Sequence, residues 1–487
     1  MRTLFFLSVM LLAFNAWAEL KIPKLFSDNM VLQRDIPAPV WGWADPGEKV
    51  TVKFKGQEQS VIADAGGKWI VRLKPLAASA QPEKLTITGK TDRKEFNNVV
   101  VGDVWLCSGQ SNMASCFEYL GITSKVEGVD YPQIRLIGGL GKIVPVPQDL
   151  VFPHKSWEPC KSANVKFFSC VGYYFGLKLW QELQIPIGLV NVSCGSSSIE
   201  AWMPPESFAA NERWKDNLAE MEKIQKTYRD YGTYTTNKNE RLLIERCSAC
   251  LYTYAIRPII PFGIKGVIWY QGETNLSDDQ YARKQQSLIE TWRKLWGQGD
   301  PATGAGQAFP FYIVQIAPVK RAEGFMPGFW LEQYKAVSKT KNTGIASTVD
   351  ISDINTSHPK NKRDVGLRLA LLALRNTYGR KGTVASGPVY KSMQITGGKI
   401  IVSFNEVGAG LTTKDGNAPD WFEIADADGR FVKAQAKING ANVEVSTPDV
   451  KTPKFVRFAW NDIAEPNLRN KEGLPAFPFN NALPFFR

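Results

Sequence analysis

Short runs that alternate apolar and polar residues follow the N-terminal segment of the chain. Between Leu20 and Val101, runs such as VTVKFKG, SVIADAGGKWIVRL and KLTITGK are separated by Pro, Gly and Asp turns. A period of two is typical of strands with one buried face, and turns at these intervals favour hairpins. The pattern predicts a small β-sandwich domain over residues 19–101.

The pattern changes at residue 102. Up to about residue 384, apolar β-rich runs alternate with segments of helical periodicity: VVVGDVWLC, IPIGLVNVSC, IKGVIWYQG, PFYIVQIAP and GIASTVDIS. Because strands that alternate with helices imply parallel crossovers, we expect an α/β domain with its sheet between two helical layers. The charged segment 206–246 is predicted to be a helical insertion at its periphery. Period-two runs return after Gly387 and predict a second β-sandwich domain over residues 385–487.

The N-terminal eighteen residues have the pattern of a secretory signal. They contain Arg2, an apolar core and the small-x-small sequence Ala16-Trp17-Ala18. The apolar run is shorter than the roughly 20 residues that a membrane-spanning helix needs, and no later segment is long and apolar enough. We therefore expect cleavage near Ala18, a periplasmic or secreted protein and no membrane span.

The net charge and its distribution limit the kinds of molecule that this protein is expected to bind. The formal net charge of the 487 residues is +12, but the Lys and Arg residues are scattered, and no basic run has the length expected for nucleic-acid contact. A basic surface attracts acidic sugars as well as other anions, and a solvated surface with no partner is the simpler interpretation. The oligomeric state is left open.

Seven cysteines are expected to lie in an oxidising compartment, where disulfides persist. Cys160 and Cys170 are a candidate bridge, although connectivity does not follow from the sequence. Cys247 and Cys250 form a C-x-x-C pair without a second pair at zinc-ribbon spacing. We expect no metal and no other cofactor.

The sequence contains only two histidines, so a histidine base must be one of them. His154 lies among prolines and has the character of a loop residue, whereas His358 follows the apolar run GIASTVDIS. Reacting groups gather at the carboxyl ends of strands in α/β sheets, so His358 is the better candidate.

Three further strand ends carry groups suited to acyl transfer. In DVWLCSGQSNM, Gly109 permits the tight turn that exposes Ser111 as a nucleophile. A tetrahedral oxyanion needs two or three donors, and the backbone amides of Ser111 and Gly195 are candidates. Gln271 is the first choice for a side-chain donor and Asn275 the second.

These motifs together resemble the SGNH-hydrolase superfamily and, within it, the sialate O-acetylesterase-like carbohydrate esterases. The resemblance rests on SDNMVLQRD, WLCSGQSNM, IEAWMP, GVIWYQGETN, SHPKNKRDVGLRLAL and the terminal FAWND…GLPAFPF, and it covers nearly the whole mature chain. It implies a flavodoxin- or Rossmann-like three-layer hydrolase domain over residues 102–384, flanked by the two β domains. It also implies metal-free hydrolysis of acetyl esters on sugars.

The chain departs from the superfamily pattern next to its histidine. An Asp commonly stands three residues before the histidine, and here that position is Asn355. An amide cannot supply the negative charge that stabilises an imidazolium. Asp353 is our first candidate for this role, and Asp350 and a backbone carbonyl are the alternatives.

Substrate contacts are expected from the same motifs. Three of the candidates are aromatic: Trp202, Trp269 and Tyr270. The sequence favours stacking on a pyranose ring and packing in the core equally for them. The full set is Gln110, Glu200, Trp202, Trp269, Tyr270 and Glu273. An acetylated sugar is the expected partner, with acetylated sialic acid, xylan and xyloglucan all open. A carbohydrate-binding protein with impaired catalysis is the alternative to an esterase.

Overall fold

The computed structural model describes residues 19–141, 143–146, 149, 153, 155–231, 245–298, 308–320, 326–351 and 353–486. The predicted signal segment and His154 lie outside the described residues. Within those ranges, no helix has the length and apolar character needed to cross a membrane.

The N-terminal strands pair mostly antiparallel, as the period-two pattern predicts. They are β1 (Val31–Gln33), β2 (Ala38–Trp43), β3 (Lys49–Phe54), β4 (Gln57–Ile62), β5 (Lys68–Leu73) and β6 (Ser79–Thr88). Strand β2 pairs with β5, while β3 pairs with β4 and β6. Strand β6 pairs in turn with the long strand β7 (Arg93–Gly109). The predicted boundary at residue 101 falls within β7, because this strand continues from the N-terminal sheet into the central one.

A mostly parallel sheet forms the centre of the molecule. Its other strands are β8 (Asp130–Gly138), β9 (Glu158–Lys161), β10 (Ile187–Ser193), β11 (Gly266–Tyr270), β12 (Phe311–Val314) and β13 (Thr343–Ala346). The strand order is β13-β12-β11-β7-β10-β8-β9, and only β9 pairs antiparallel along this path. The carboxyl ends of the central strands therefore meet at one edge.

Helices connect these strands. They are α1 (Ser111–Ala114), α2 (Phe117–Leu120), α3 (Ser162–Val165), α4 (Cys170–Leu183), α5 (Pro205–Ala209), α6 (Lys215–Tyr231), α7 (Tyr281–Trp296), α8 (Met326–Lys339) and α9 (Lys362–Asn376). The side chain of Asn361 accepts from the amide of Asp364 and caps α9, which begins four residues after His358. Helices α5 and α6 lie within the predicted insertion, whose residues 232–244 are outside the described ranges.

Antiparallel strands return at the C-terminus. They are β14 (Val389–Thr396), β15 (Lys399–Asn405), β16 (Leu411–Thr413), β17 (Phe422–Ala425), β18 (Val432–Lys433), β19 (Gln435–Asn439), β20 (Asn442–Ser446), β21 (Phe455–Phe458), β22 (Leu468–Asn470) and β23 (Phe479–Asn480). They enclose a hydrophobic cluster of their own, which also contains Val349 from the end of the α/β region. The mixed α/β class with several β sheets is confirmed.

The cysteines pair differently from the prediction. Cys160 in β9 and Cys170 at the start of α4 are both buried free thiols, so the predicted bridge between them is wrong. Burial raises the pKa of the Cys160 thiol to about 12, with a smaller contribution from the charge of Asp130. A disulfide joins Cys247 and Cys250 instead.

Candidate active site

A sharp turn at the end of β7 exposes Ser111. Gly109 adopts a φ of +131°, and a Cβ there would lie 2.2 Å from the carbonyl oxygen of Tyr270 in β11. Only glycine accepts both the backbone conformation and this close approach. Helix α1 then begins at Ser111, which is partly exposed, while the next residue, Asn112, is buried. The local sequence thus places the hydroxyl at the carboxyl edge of the sheet.

His358 meets Ser111 at this edge. Its Nε2 lies 2.8 Å from Ser111 Oγ, although the two residues are 247 positions apart in the chain. The histidine loop follows β13, and the backbone amide of His358 donates to Thr356 Oγ1 at 3.1 Å. The distance suits a hydrogen bond between a nucleophile and its base. The structure therefore brings together the two residues that the sequence selects.

Gly195 lies beside them at the end of β10. A Cβ on Gly195 would lie 3.8 Å from Ser111 Cβ, and the neighbouring Cys194 donates its amide hydrogen to the carbonyl of Gly109 at 3.0 Å. Ser111, Gly195 and His358 are all partly accessible to solvent. A substrate can therefore reach the three residues together.

Gln271 and Asn275 do not point into this opening. Both are buried, and the Gln271 side-chain amide donates to the carbonyl of Ser197 and to Asn275 Oδ1. Asn275 Nδ2 donates to Glu200 Oε2 at 3.1 Å and to Asp278 Oδ2 at 3.4 Å. Because each nitrogen already has two partners, this geometry contradicts their predicted role as oxyanion donors. They hold the turn after β11 against the segment after β10.

Gln110 is a better placed amide. Its Oε1 accepts from the backbone amides of Gly272 at 3.2 Å and Thr274 at 3.4 Å, which fixes the side chain directly before Ser111. Its Nε2 forms no hydrogen bond with any residue that the structure describes. Sequence reasoning named Gln110 only as a substrate contact. Its position next to the nucleophile was the available signal for a role in the reaction.

The acidic residues near His358 have other partners. Asp353 is exposed, and its Oδ1 accepts from the backbone amide of Asn355 at 3.1 Å. Asp350 is buried and forms a two-pronged ion pair with Arg368, at 2.7 and 2.8 Å. Both carboxylate oxygens of Asp350 are therefore committed away from the imidazole. Orientation of the ring by Asp353 remains a prediction without support from this arrangement.

The aromatic candidates belong to the core. Trp202, Trp269 and Tyr270 are each 0% exposed. Trp202 and Trp269 pack edge to face with ring centroids 6.0 Å apart, and the Trp202 indole donates to Ser197 Oγ. A fully covered ring cannot stack on a sugar, so of the two roles expected for these residues the structure supports core packing.

The Glu200 side chain is also largely enclosed by the protein. Burial opposes its ionisation, but the charge of Lys284 and their hydrogen bond prevail and lower the pKa of Glu200 below its usual value. Lys284 also contacts Asp278. Glu200 therefore stabilises the loop after β10 as part of a largely enclosed ion cluster.

A buried polar network that sequence reasoning missed lies behind Ser111. Lys362 Nζ donates to Asn112 Oδ1, and Asn112 Nδ2 donates to Glu273 Oε1 and to the carbonyl of Ser357, the latter at 2.8 Å. Burial lowers the pKa of Lys362 to about 8, partly offset by the charge of Glu273. Asn112, which follows Ser111, is thus bonded to Ser357, which precedes His358. The only available signal was the run SHPKNK, which places a lysine four residues after His358.

No group of three or more His, Cys, Asp and Glu side chains is arranged to hold a metal ion in the part of the chain that the structure describes. The groups at the site are instead a hydroxyl, an imidazole and amide donors. This set is suited to acyl transfer through a covalent intermediate.

Comparison with known proteins gives one consistent family. The family model for the carbohydrate esterases described as sialic acid-specific acetylesterases matches residues 101–371, more than half of the chain. The sialate O-acetylesterase of Homo sapiens is 27% identical over 487 residues, covering 92% of this chain and 88% of the relative. That of Rattus norvegicus is 28% identical over 485 residues, covering 89% and 88%.

One solved structure is similar over nearly its whole length. It is a carbohydrate acetylesterase from Xanthomonas citri, which is 34% identical and superposes with a TM-score of 0.80, covering 95% of this chain and 99% of its own. The Ser111 turn and the His358 loop both lie in the region that the family model matches. The chain therefore belongs to the sialic acid-specific acetylesterase family of carbohydrate esterases.

Proposed function

We propose that this protein is an exported serine esterase that removes acetyl groups from sugars. The observation that carries the proposal is the 2.8 Å contact between Ser111 Oγ and His358 Nε2 at the carboxyl edge of the sheet. Membership of an acetylesterase family supports the ester substrate. The strand order of the central sheet is compatible with an SGNH-type catalytic domain between two β domains, with boundaries near residues 101 and 384.

The proposed reaction has two half-reactions. His358 Nε2 takes the proton of Ser111 as its oxygen attacks the acetyl carbonyl, and the proton then passes to the departing sugar oxygen. Water hydrolyses the acetyl-serine with the same base. The product of the first half-reaction is a deacetylated sugar, and the second half-reaction releases acetate.

Three donors are proposed for the oxyanion. The backbone amides of Ser111 and Gly195 flank the site, and Gln110 Nε2 takes the place that the sequence assigned to Gln271. Gln110 suits this role because its oxygen is already held by two backbone amides, which fixes its nitrogen, and that nitrogen has no partner among the described residues. A preorganised donor needs no reorientation during the reaction, and this increases its contribution.

A panel of acetylated substrates tests the function. The purified protein is expected to release acetate from at least one of acetylated sialic acid, acetylated xylan and acetylated xyloglucan, and to release nitrophenol from 4-nitrophenyl acetate. Acetate is measured by an enzyme-coupled assay, with heat-denatured protein as the control. Binding to these glycans without release of either product would restore the alternative of a catalytically impaired carbohydrate-binding protein, which nothing in the site favours.

The Asp353→Asn variant tests how His358 is held. We expect kcat to stay within about tenfold of the parent, because an Asn oxygen can accept from the Asn355 amide as the carboxylate does. A true triad carboxylate would lose about 10⁴-fold on this change. The measurement is turnover of acetylated substrate, with circular dichroism to establish folding.

Asn355→Asp is the matched variant of the same loop. It restores the charge that the superfamily usually places three residues before the histidine. A loss near 10⁴-fold in Asp353→Asn would contradict our expectation and make Asp353 the orienting carboxylate. A gain of activity in Asn355→Asp would instead identify position 355 as the productive place for that charge.

A further inference from the structure

The leaving sugar must approach His358. In the proposed mechanism, on which this inference rests, the sugar oxygen receives its proton from His358 Nε2 as the ester bond breaks. The sugar therefore lies on the imidazole side of Ser111 when the acetyl group is transferred. The aromatic residues that the sequence offered for this position are buried in the core, so another surface has to contact the sugar.

Two exposed aromatic rings lie on neighbouring segments, and one of these segments contacts His358. Tyr119 in α2 is 66% exposed and Phe167 after α3 is 53% exposed, whereas most large apolar side chains are buried. The Tyr119 ring centroid is 6.1 Å from that of His358, with an interplanar angle of 85°. The backbone amide of Glu118 donates to the carbonyl of Lys166 at 3.0 Å, which joins the two segments next to the rings. Single exposed aromatics are ordinary, but these two lie on joined segments and together offer apolar surface near His358.

A cavity extends this surface along the sheet edge. It has a volume of about 170 Å³ and lies at the carboxyl ends of β8 and β10, with Phe167 at its wall. Ala114, the last residue of the short helix α1 that begins at Ser111, forms another part of the wall. Its polar lining combines charged and neutral hydrogen-bonding side chains: Lys155, Glu158, Asn191 and Ser193. Such a mixed lining suits the hydroxyl groups of a sugar.

We propose that Tyr119 and Phe167 form a pyranose-binding subsite for the glycan that carries the acetyl group. Tyr119 contacts the sugar whose oxygen leaves from the acetyl carbon, and Phe167 with the adjoining cavity receives the neighbouring sugar of the chain. Aromatic faces pack against the apolar C–H face of a pyranose, and the cavity's polar side chains bind its hydroxyl groups. The subsite therefore favours acetylated oligosaccharides over small acetyl esters.

The test compares two substrates in the same variants. Tyr119→Ala and Phe167→Ala are each expected to raise KM for an acetylated oligosaccharide about tenfold, which corresponds to one lost aromatic contact. For 4-nitrophenyl acetate, kcat/KM is expected to stay within twofold of the parent, because this ester does not need the sugar subsite. Tyr119→Phe, which keeps the ring, is expected to retain the parental KM.

Phe485→Ala is the matched control, since Phe485 is an exposed aromatic in the C-terminal region. An unchanged oligosaccharide KM in the Tyr119→Ala/Phe167→Ala double variant would overturn the subsite. An equal loss on both substrates would also overturn it, because the residues would then act on the reacting pair and not on the sugar. A parent protein that hydrolyses neither substrate would refute the proposed function itself.

Discussion

Ser111→Ala is expected to reduce acetate release by roughly 10⁴-fold or more while the protein remains folded. In the proposed mechanism the hydroxyl forms the covalent bond to the acetyl group, and it lies 2.8 Å from His358 Nε2. The change removes one partly exposed oxygen and fills no space, so little strain is introduced. Activity is measured as acetate release from the best substrate of the panel, and folding by thermal unfolding.

Two further variants test whether the loss is specific to Ser111. Ser124→Ala, at an exposed serine outside the site, is expected to keep parental turnover. The Ser111→Ala/His358→Ala double variant is expected to be no slower than Ser111→Ala alone, because residues that act as a unit give strongly non-additive losses. Turnover of Ser111→Ala within tenfold of the parent would remove Ser111 from the mechanism.

Gln110→Glu is expected to lower kcat by about 10²- to 10³-fold with little change in KM. Glutamate keeps the oxygen that accepts from the Gly272 and Thr274 amides, so the turn before Ser111 retains its hydrogen bonds. It replaces the proposed donor with an oxygen that repels the developing oxyanion. The loss therefore falls on the transition state, and steady-state kinetics separates kcat from KM.

Gln133→Glu provides the matched control. Gln133 also uses its side-chain oxygen as an acceptor, from the Trp180 indole at 3.2 Å, and it lies outside the site. The same chemical change there is expected to leave kcat unaltered. If Gln110→Glu kept kcat within threefold of the parent, Gln110 would contribute no donor to the reaction.

The pairing of Ser111 with His358 was predictable because it depends on topology. Both residues follow apolar runs that become central strands, and parallel strands bring their carboxyl ends to one edge. The small number of histidines removed most alternatives. The role of Gly109 in the turn before Ser111 was also predictable, since the turn requires a backbone conformation that other residues rarely adopt.

The direction of individual side chains was not predictable from the same motifs. Gln271 and Gln110 both occupy strand-end turns, but the Gln271 side chain is bonded to Asn275 and Tyr281, which follow it closely, and to Ser197, which lies 74 positions away in the chain. The bond to Ser197 depends on a tertiary contact that a local pattern does not contain. Trp269 and Tyr270 are buried because their strand is covered on both faces, as is usual in parallel sheets.

The position of Val349 shows that the α/β region and the C-terminal strands share a hydrophobic cluster. The residue precedes the His358 loop, yet its side chain is completely buried in the cluster formed by the C-terminal strands. A fragment that ends at residue 371, where the family match ends, would leave Val349 exposed at a cost of about 1.5–3 kcal/mol. It would also remove Arg469, which lies 4.0 Å from Asp350 in the same loop. The C-terminal strands therefore help to hold the loop that carries His358, and a fragment without them is expected to lose this support.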